Sequence, residues 1–234
     1  PRSTPLYSSA ASDVYKRQLE LWARKYFSDI KNRKLDISRH DPESMDKKET
    51  FRLVKIEPVK DMRELKLWFS IPGTRHLYGS KPGQQLGFIL GHEGEGSLLS
   101  YLKDKGWAIT LSAGASEFSR DYGAGVVTVG LTEKGLKEYK EVLKATIDYI
   151  DLMKKSGHQN HVFSELKSMA SLNEIYSSKG EGMYRAIGLA NEALWFPPED
   201  VGRISYIYSN DSPKPYEDLV QSLNVNTMLT MLIC

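Results

Sequence analysis

The strongest candidate for a functional site lies between Pro82 and Ala115, in the segment PGQQLGFILGHEGEGSLLSYLKDKGWAITLSAGA. Glycines recur through it, at positions 83, 87, 91, 94, 96 and 114. A glycine leaves the backbone uncovered by a side chain, so that a second backbone can approach closely. The segment ends in a predicted strand whose apolar face carries Trp107, Ile109, Leu111 and Ala113. These features predict a sheet edge that binds a peptide.

The histidines do not form a zinc-hydrolase motif. The chain has five, at positions 40, 76, 92, 158 and 161, and none belongs to an H-x-x-E-H or H-E-x-x-H pattern. His92 and Glu93 are adjacent, but Gly96 stands where the second histidine of H-E-x-x-H would be needed. We therefore expect no catalytic residue and no metal ligand in this chain.

Two other ligand patterns are weaker. His158, His161 and Glu165 have a spacing compatible with a metal site, although the start of a surface helix is the favoured interpretation. The GHEGEG turn has the glycine content of a phosphate-binding loop, but Glu93 and Glu95 would repel an anion and no GK[ST] follows. The same turn is also compatible with a loop that leads into a helix and binds no ligand.

Composition and charge exclude several classes of function. The chain has 234 residues, 40% hydrophobic and 26% charged, which is typical of one globular domain or slightly more. A formal net charge of +2 gives no reason to expect a nucleic-acid partner. No apolar run approaches the roughly 18 residues of a membrane span, so no membrane partner is expected. The single cysteine, Cys234, excludes an internal disulfide and favours the cytoplasm, with the periplasm as the alternative.

The N-terminal part changes character at Leu19. Residues 1–18 are small, polar and aperiodic, and their run SAASDVYKRQ resembles translated adaptor sequence, so we interpret them as a non-native leader. Apolar residues at helical spacing predict a helix from Leu19 to Ile30. A charged, proline-bearing linker is expected from Asn32 to Glu49.

The remaining elements predict an α+β fold. Two strands, Phe51 to Glu57 and Met62 to Ile71, are expected to form a hairpin, and a strand from Gly125 to Leu131 is expected to pair with the one that starts at Trp107. Thr132 is predicted to cap a long helix that buries Leu136, Tyr139, Leu143, Ile147 and Ile150. Further helices follow, and the apolar ending TMLTMLIC is typical of an element cut short. This order predicts a largely antiparallel sheet with helices packed on one face.

The segment GHEGEGSLLSYLKDKGWAITLSAG, with PVKDMRELKLWFSIP before it and VGLTEKGLKEYKEVL after it, resembles the second domain of the insulinase or pitrilysin-type (M16) zinc metallopeptidases. The resemblance implies that residues 19–49 are the tail of a preceding catalytic domain plus a linker. Residues 50–234 would then be the second domain, truncated at its C-terminal end. The family has four homologous α+β units around a chamber, with zinc held in the first by H-x-x-E-H and a distal glutamate.

The resemblance implies a substrate-anchoring role. The chain would be the exosite domain of a zinc metalloendopeptidase that degrades peptides in an enclosed chamber, and it would be inactive alone. Its implied partners are a peptide substrate and the other M16 domains of the parent chain, and its parent would hold zinc while this fragment holds none. The alternative is a zinc-less, non-catalytic M16-like binding or structural module. An upstream H-x-x-E-H would distinguish the two.

Matching by position places the implied peptide-binding site at Gly87, Phe88, Gly91, Glu93, Leu111, Ala113 and Ala115. The substrate would add as a strand at a sheet edge, where main-chain hydrogen bonds supply the affinity. Glu93 would pair with the free α-amino group, which is cationic for much of the population near neutral pH. Phe88 and Gln84 stand where the family pattern has histidines, and Ala113 stands where it has glycine. These departures predict weak binding.

Overall fold

A computed structural model of the chain describes residues 7–31, 33–35, 39, 52–178 and 182–234. The chain divides into two compact units, Pro1–Ser38 and Arg39–Cys234. In the first unit, helix α1 runs through Tyr7–Phe27, so it begins before the predicted start at Leu19. Most of the predicted linker, and residues 1–6 of the predicted leader, lie outside the described residues. The assignment of residues 1–18 as a leader stays a prediction.

The second unit is built on a five-stranded sheet. Its strands are β1 (Arg52–Ile56), β2 (Glu64–Pro72), β3 (Ala108–Glu117), β4 (Tyr122–Leu131) and β5 (Met228–Ile233). They lie in the order β1-β5-β2-β4-β3. Only the β1–β5 pair is parallel among the described strands, and the other pairs are antiparallel. The expected largely antiparallel sheet is therefore confirmed.

The helices of this unit are α2 (Pro82–Leu90), α3 (Leu98–Asp104), α4 (Glu133–Lys137), α5 (Tyr139–Ser156), α6 (Asn160–Tyr176), α7 (Gly182–Ala193) and α8 (Pro213–Ser222). Helices α2, α3, α5 and α8 bury side chains against the apolar face of the sheet. Alternate residues of β2, from Leu65 to Ile71, are buried on the covered face. They share one core with Leu86 of α2, Leu102 of α3 and Val142 of α5. Burial of these apolar side chains is what holds the layers together.

The predicted hairpin between the first two strands is wrong. Strand β5 lies between β1 and β2 and pairs with both, in parallel with β1 and antiparallel to β2. The apolar C-terminal segment therefore forms an interior strand, in which Met228, Thr230 and Leu232 are buried. Sequence neighbours usually pair, but here a distant strand takes the position between them.

A bulge changes the predicted face of β3. Ala108 lies opposite Leu131 and Thr110 lies opposite Gly130, so that Ile109 is an extra residue without an opposite partner. An extra residue reverses the alternation on one side of the bulge. Ala108 and Leu111 are therefore buried, whereas Ile109, predicted to share the inner face with Leu111, is 60% exposed.

The predicted long helix is divided into α4 and α5. The predicted cap is present, because Thr132 Oγ1 accepts a hydrogen bond from the backbone N–H of Gly135 at 2.9 Å. Glu138 leaves the helical conformation, and its Oε2 accepts a hydrogen bond from Trp107 Nε1 at 2.7 Å. After this break the buried stripe of α5 is Val142, Thr146, Ile150 and Met153. Of the predicted stripe only Ile150 is buried, and the other four side chains are half-buried.

Candidate peptide-binding groove

Strand β3 lies at one margin of the sheet. Among the described strands it pairs with β4 alone, so that its opposite edge carries no strand. Its central residues, Ala113, Gly114 and Ala115, are half-buried and small. A Cβ added at Gly114, between Ala113 and Ala115, would lie on the sheet face away from α2 and meet no atom within 4 Å there. An edge of this kind presents backbone N–H and C=O groups that an additional strand can pair with.

Helix α2 lies directly against β3 through a row of glycines. Gly83, Gly87 and Gly91 are four residues apart and therefore share one helix face. A Cβ at Gly87 would lie 3.1 Å from the carbonyl oxygen of Ala113, and one at Gly83 would lie 2.9 Å from the Cβ of Ala115. The close backbone approach predicted for this segment thus occurs within the chain itself. Gly83 and Gly87 are nevertheless half-exposed and line the groove described next, so the approach of a peptide backbone to them stays a prediction.

A groove of about 620 Å³ runs between α2 and the free edge of β3. Of the predicted site residues, it is lined by Gly87 and Phe88 from α2 and by Ala113 and Ala115 from β3. Leu166 of α6 and Phe196 contribute to the lining from elements that the sequence prediction did not connect with the site.

The other three predicted site residues lie outside the groove lining. Leu111 is buried in the core. Gly91 ends α2, and its N–H donates a hydrogen bond to the carbonyl oxygen of Gly87 at 2.9 Å. Glu93 is exposed in the turn that follows α2. The structure therefore brings together four of the seven predicted residues.

The carboxylate of Glu117, which the sequence did not identify as part of the site, fixes one end of the groove. Glu117 Oε1 accepts hydrogen bonds from Thr74 N at 2.8 Å and from Thr74 Oγ1 at 2.7 Å, and its Oε2 accepts one from Arg75 Nε at 2.9 Å. The guanidinium of Arg75 also lies 4.0 Å from the ring centroid of Trp195. These groups join the start of the 3-10 turn Arg75–Leu77 to the end of β3.

A buried lysine lies at the start of α2. Lys81 is 8% exposed and has a positive φ of 47°. Its Nζ donates a hydrogen bond to the carbonyl oxygen of Ile204 at 2.6 Å, and burial lowers its pKa. Nearby, Tyr208 donates a hydrogen bond to Gln84 Oε1, and burial raises the pKa of Tyr208 to about 12. The only local signal for Lys81 was its place before Pro82, which predicts the start of a helix.

That this chain holds no metal site stays a prediction, and His40, one of its five histidines, lies outside the described residues. Within the described ranges, no group of three or more His, Cys, Asp or Glu residues could hold a metal ion. His158, from the weaker metal pattern, has Nδ1 3.1 Å from Asn160 Oδ1 and Nε2 3.2 Å from Asp211 Oδ1. In the same part of the chain, no helix has the length and hydropathy needed to cross a membrane.

The family model described as "Peptidase M16 inactive domain" matches residues 7–169. This chain belongs to the M16 peptidase family. It is 30% identical to human insulin-degrading enzyme over 209 residues, which cover 89% of this chain and 20% of that protein. A nardilysin-like protein of Arabidopsis thaliana is 32% identical over 206 residues, or 86% of this chain and 20% of the relative. The name of another relative, mug138 of Schizosaccharomyces pombe, contains the words zinc protease.

Solved structures confirm the fold. Pitrilysin superposes with a TM-score of 0.85 at 19% identity, over 92% of this chain and 23% of that chain. The first half of the periplasmic protease PqqL of Escherichia coli superposes with a TM-score of 0.64 at 11% identity, over 93% of this chain and 48% of that chain. The M16 chain described here spans about a fifth of the length of the curated relatives named above. The predicted family and fold class are thus confirmed.

Proposed function

We propose that this M16 domain anchors peptide substrates for a larger zinc metalloendopeptidase, by adding the peptide as a strand at the free edge of β3. The observation that carries the proposal is the edge itself, because β3 pairs only with β4 among the described strands and borders a groove. Addition of a strand needs little side-chain recognition, which suits a site lined by glycine and alanine.

The expected affinity is low. Three or four main-chain hydrogen bonds, at about 0.5–1.5 kcal/mol net for each, contribute only a few kcal/mol. A binding free energy of about 4 kcal/mol corresponds to a dissociation constant of about 1 mM. Phe88, in place of a histidine, lines the groove as an apolar ring and adds contact area without a second polar anchor.

Glu93 is proposed to hold the peptide's α-amino group. The side chain is exposed at the end of α2, so that solvent and salt screen the pair. The test is a titration of one fluorescent peptide, with a free and with an acetylated N-terminus, against the wild-type chain and the Glu93→Gln variant. We expect acetylation to weaken binding by at most about fivefold in the wild type and to have no effect in the variant.

Glu95→Gln is the matched control, because Glu95 is an exposed glutamate of the same turn. It should leave the effect of acetylation unchanged. Equal affinities of the free and acetylated peptides for the wild-type chain would remove the role of Glu93 and leave strand addition intact. Failure of both peptides to bind would refute the anchoring function.

The other domains of the parent chain are proposed partners. Large apolar side chains are exposed on α6 and α7, namely Met169, Leu172, Ile175, Met183, Tyr184 and Ile187. Such patches are typical of interaction surfaces. In the longer protein we expect slower amide hydrogen exchange in α6 and α7 than in this chain alone. Unchanged exchange would refute the assignment of this surface.

Zinc is proposed to lie elsewhere in the parent, because the described residues of this chain offer no metal cluster. The longer protein should therefore contain bound zinc and cleave peptides, both of which a metal assay and a peptidase assay can measure. Peptide binding without zinc or cleavage would instead support the zinc-less binding module.

A further inference from the structure

The proposed groove carries an excess positive charge. Its lining contains two cations, Arg75 and Lys81, and one carboxylate, Glu117. Arg75 and Glu117 neutralise each other, because Nε lies 2.9 Å from Oε2. Two positive charges and one negative charge leave a net charge of +1, which belongs to Lys81.

The described contacts of the buried Lys81 ammonium are with a carbonyl oxygen and an aromatic ring. Its Nζ contacts the carbonyl oxygen of Ile204 at 2.6 Å and lies 5.3 Å from the ring centroid of Tyr208. In the part of the chain that the structure describes, no charged group offsets its desolvation, and burial alone sets the direction of its pKa change. A carbonyl oxygen and a ring face carry only partial negative charges, so the cost of burying this charge is only partly offset. An anion bound beside it would offset more.

Lys81 lines the same groove as Ala113 and Ala115 of β3. It directly precedes Pro82, the first residue of α2, so its backbone lies at the positive end of the helix dipole. Two residues later, Gly83 lies against Ala115 of β3. A peptide that pairs along Ala113 and Ala115 therefore passes the end of the groove where Lys81 lies.

We propose that Lys81 is a specificity-determining residue that selects peptides with a glutamate or aspartate at one position of the bound strand. The carboxylate would accept a hydrogen bond from Nζ in a partly desolvated groove, where such a pair is stronger than at an exposed surface. This inference rests on the proposed addition of peptides at β3. A purely structural lysine, which only satisfies the carbonyl of Ile204, would affect stability without any preference between acidic and neutral peptides.

The test measures the preference directly. Short peptides of Ala, Ser and Thr, with a free N-terminus and a C-terminal fluorescein, carry one Glu that is moved along the peptide position by position. A second series carries Gln instead, which has the same shape and no charge. Fluorescence anisotropy with the full chain gives the affinity of each peptide. We expect one position at which Glu binds about tenfold more tightly than Gln.

Three variants connect the preference with Lys81. Lys81→Gln keeps an amide donor for the Ile204 carbonyl and removes the charge, so Glu and Gln peptides should bind equally. Lys81→Arg keeps the charge and should keep a preference for Glu. Lys155→Met removes an exposed lysine outside the groove lining and should leave the tenfold preference unchanged. Far-UV circular dichroism confirms the folding of each variant, and Lys81→Met replaces Lys81→Gln if the latter fails to fold.

The outcomes separate this inference from the function on which it rests. Equal affinities of the Glu and Gln peptides for the wild-type chain at every position would overturn the inference and leave peptide binding intact. A preference that persists in the uncharged Lys81 variant would also overturn it. Absence of binding by every peptide up to about 1 mM would refute strand addition itself, and the inference with it.

Discussion

Replacement of Gly87 by alanine tests the contact between α2 and β3 on which the groove depends. The added Cβ would lie 3.1 Å from the carbonyl oxygen of Ala113 and 3.3 Å from the Cα of Gly114. Ordinary contacts between such atoms begin at about 3.5 Å, so the helix must move away from the strand by a few tenths of an ångström. Leu86 and Leu90, each 1% exposed on the same helix, anchor α2 in the core and resist that movement.

Two opposing effects set the change in the free energy of unfolding of Gly87→Ala. Overpacking of a well-packed contact costs about 1–3 kcal/mol. Glycine to alanine inside a helix contributes about 1 kcal/mol in the favourable direction. The free energy of unfolding should therefore fall by about 0–2 kcal/mol, whereas helix propensity alone predicts a rise. Urea unfolding followed by circular dichroism measures this change.

Gly188→Ala is the matched control. Gly188 lies inside α7, and a Cβ added there meets no atom within 4 Å outside its own turn of helix. This variant has the same gain in helix propensity without the contact, so amide hydrogen exchange in α7 should slow. In Gly87→Ala, exchange in α2 should become faster. Slower exchange in α2 of Gly87→Ala, together with a higher free energy of unfolding, would show that the helix does not lie against the backbone of β3.

Three further predictions follow from individual contacts. Gly114→Val should leave the peptide affinity in anisotropy titrations unchanged and the free energy of unfolding in urea within about 1 kcal/mol of the wild type, because side chains alternate along a strand and the one added between Ala113 and Ala115 lies on the sheet face away from α2, where it meets no atom within 4 Å. Glu117→Gln should lower the free energy of unfolding by about 1–3 kcal/mol in urea, because its carboxylate accepts three hydrogen bonds from Thr74 and Arg75. Burial raises the pKa of Tyr216 from 10.0 to about 12, so the folded chain holds this proton more tightly than the unfolded chain. The contribution of Tyr216 to the free energy of unfolding is therefore present below pH 10 and is lost as the pH rises from 10.0 to about 12. Across that range the free energy of unfolding of Tyr216→Phe, measured in urea, should depend less on pH than that of the wild type.

The candidate site was predictable only where its residues are close in sequence. The glycine-rich segment and the following strand pointed to Gly87, Phe88, Ala113 and Ala115, all of which line the groove. Glu117 was not identified as part of the site, because its partner Thr74 is 43 residues away and no local pattern links the two. Lys81 was not identified as part of the site either, because its ammonium contacts the carbonyl of Ile204, which lies 123 residues further along the chain.

The type of most elements, the cap at Thr132 and the family could be predicted from the amino-acid sequence, because these depend on periodicity, on side-chain chemistry within one turn and on short motifs. Only the tertiary structure showed that β5 lies between β1 and β2, that Ile109 forms a bulge and that α2 packs against the backbone of β3. The physical reason is that strand pairing is a competition among all strands for hydrogen-bonding partners and for burial of their apolar faces. The outcome of that competition, and with it the open edge beside α2, is a property of the whole sheet and of no single segment.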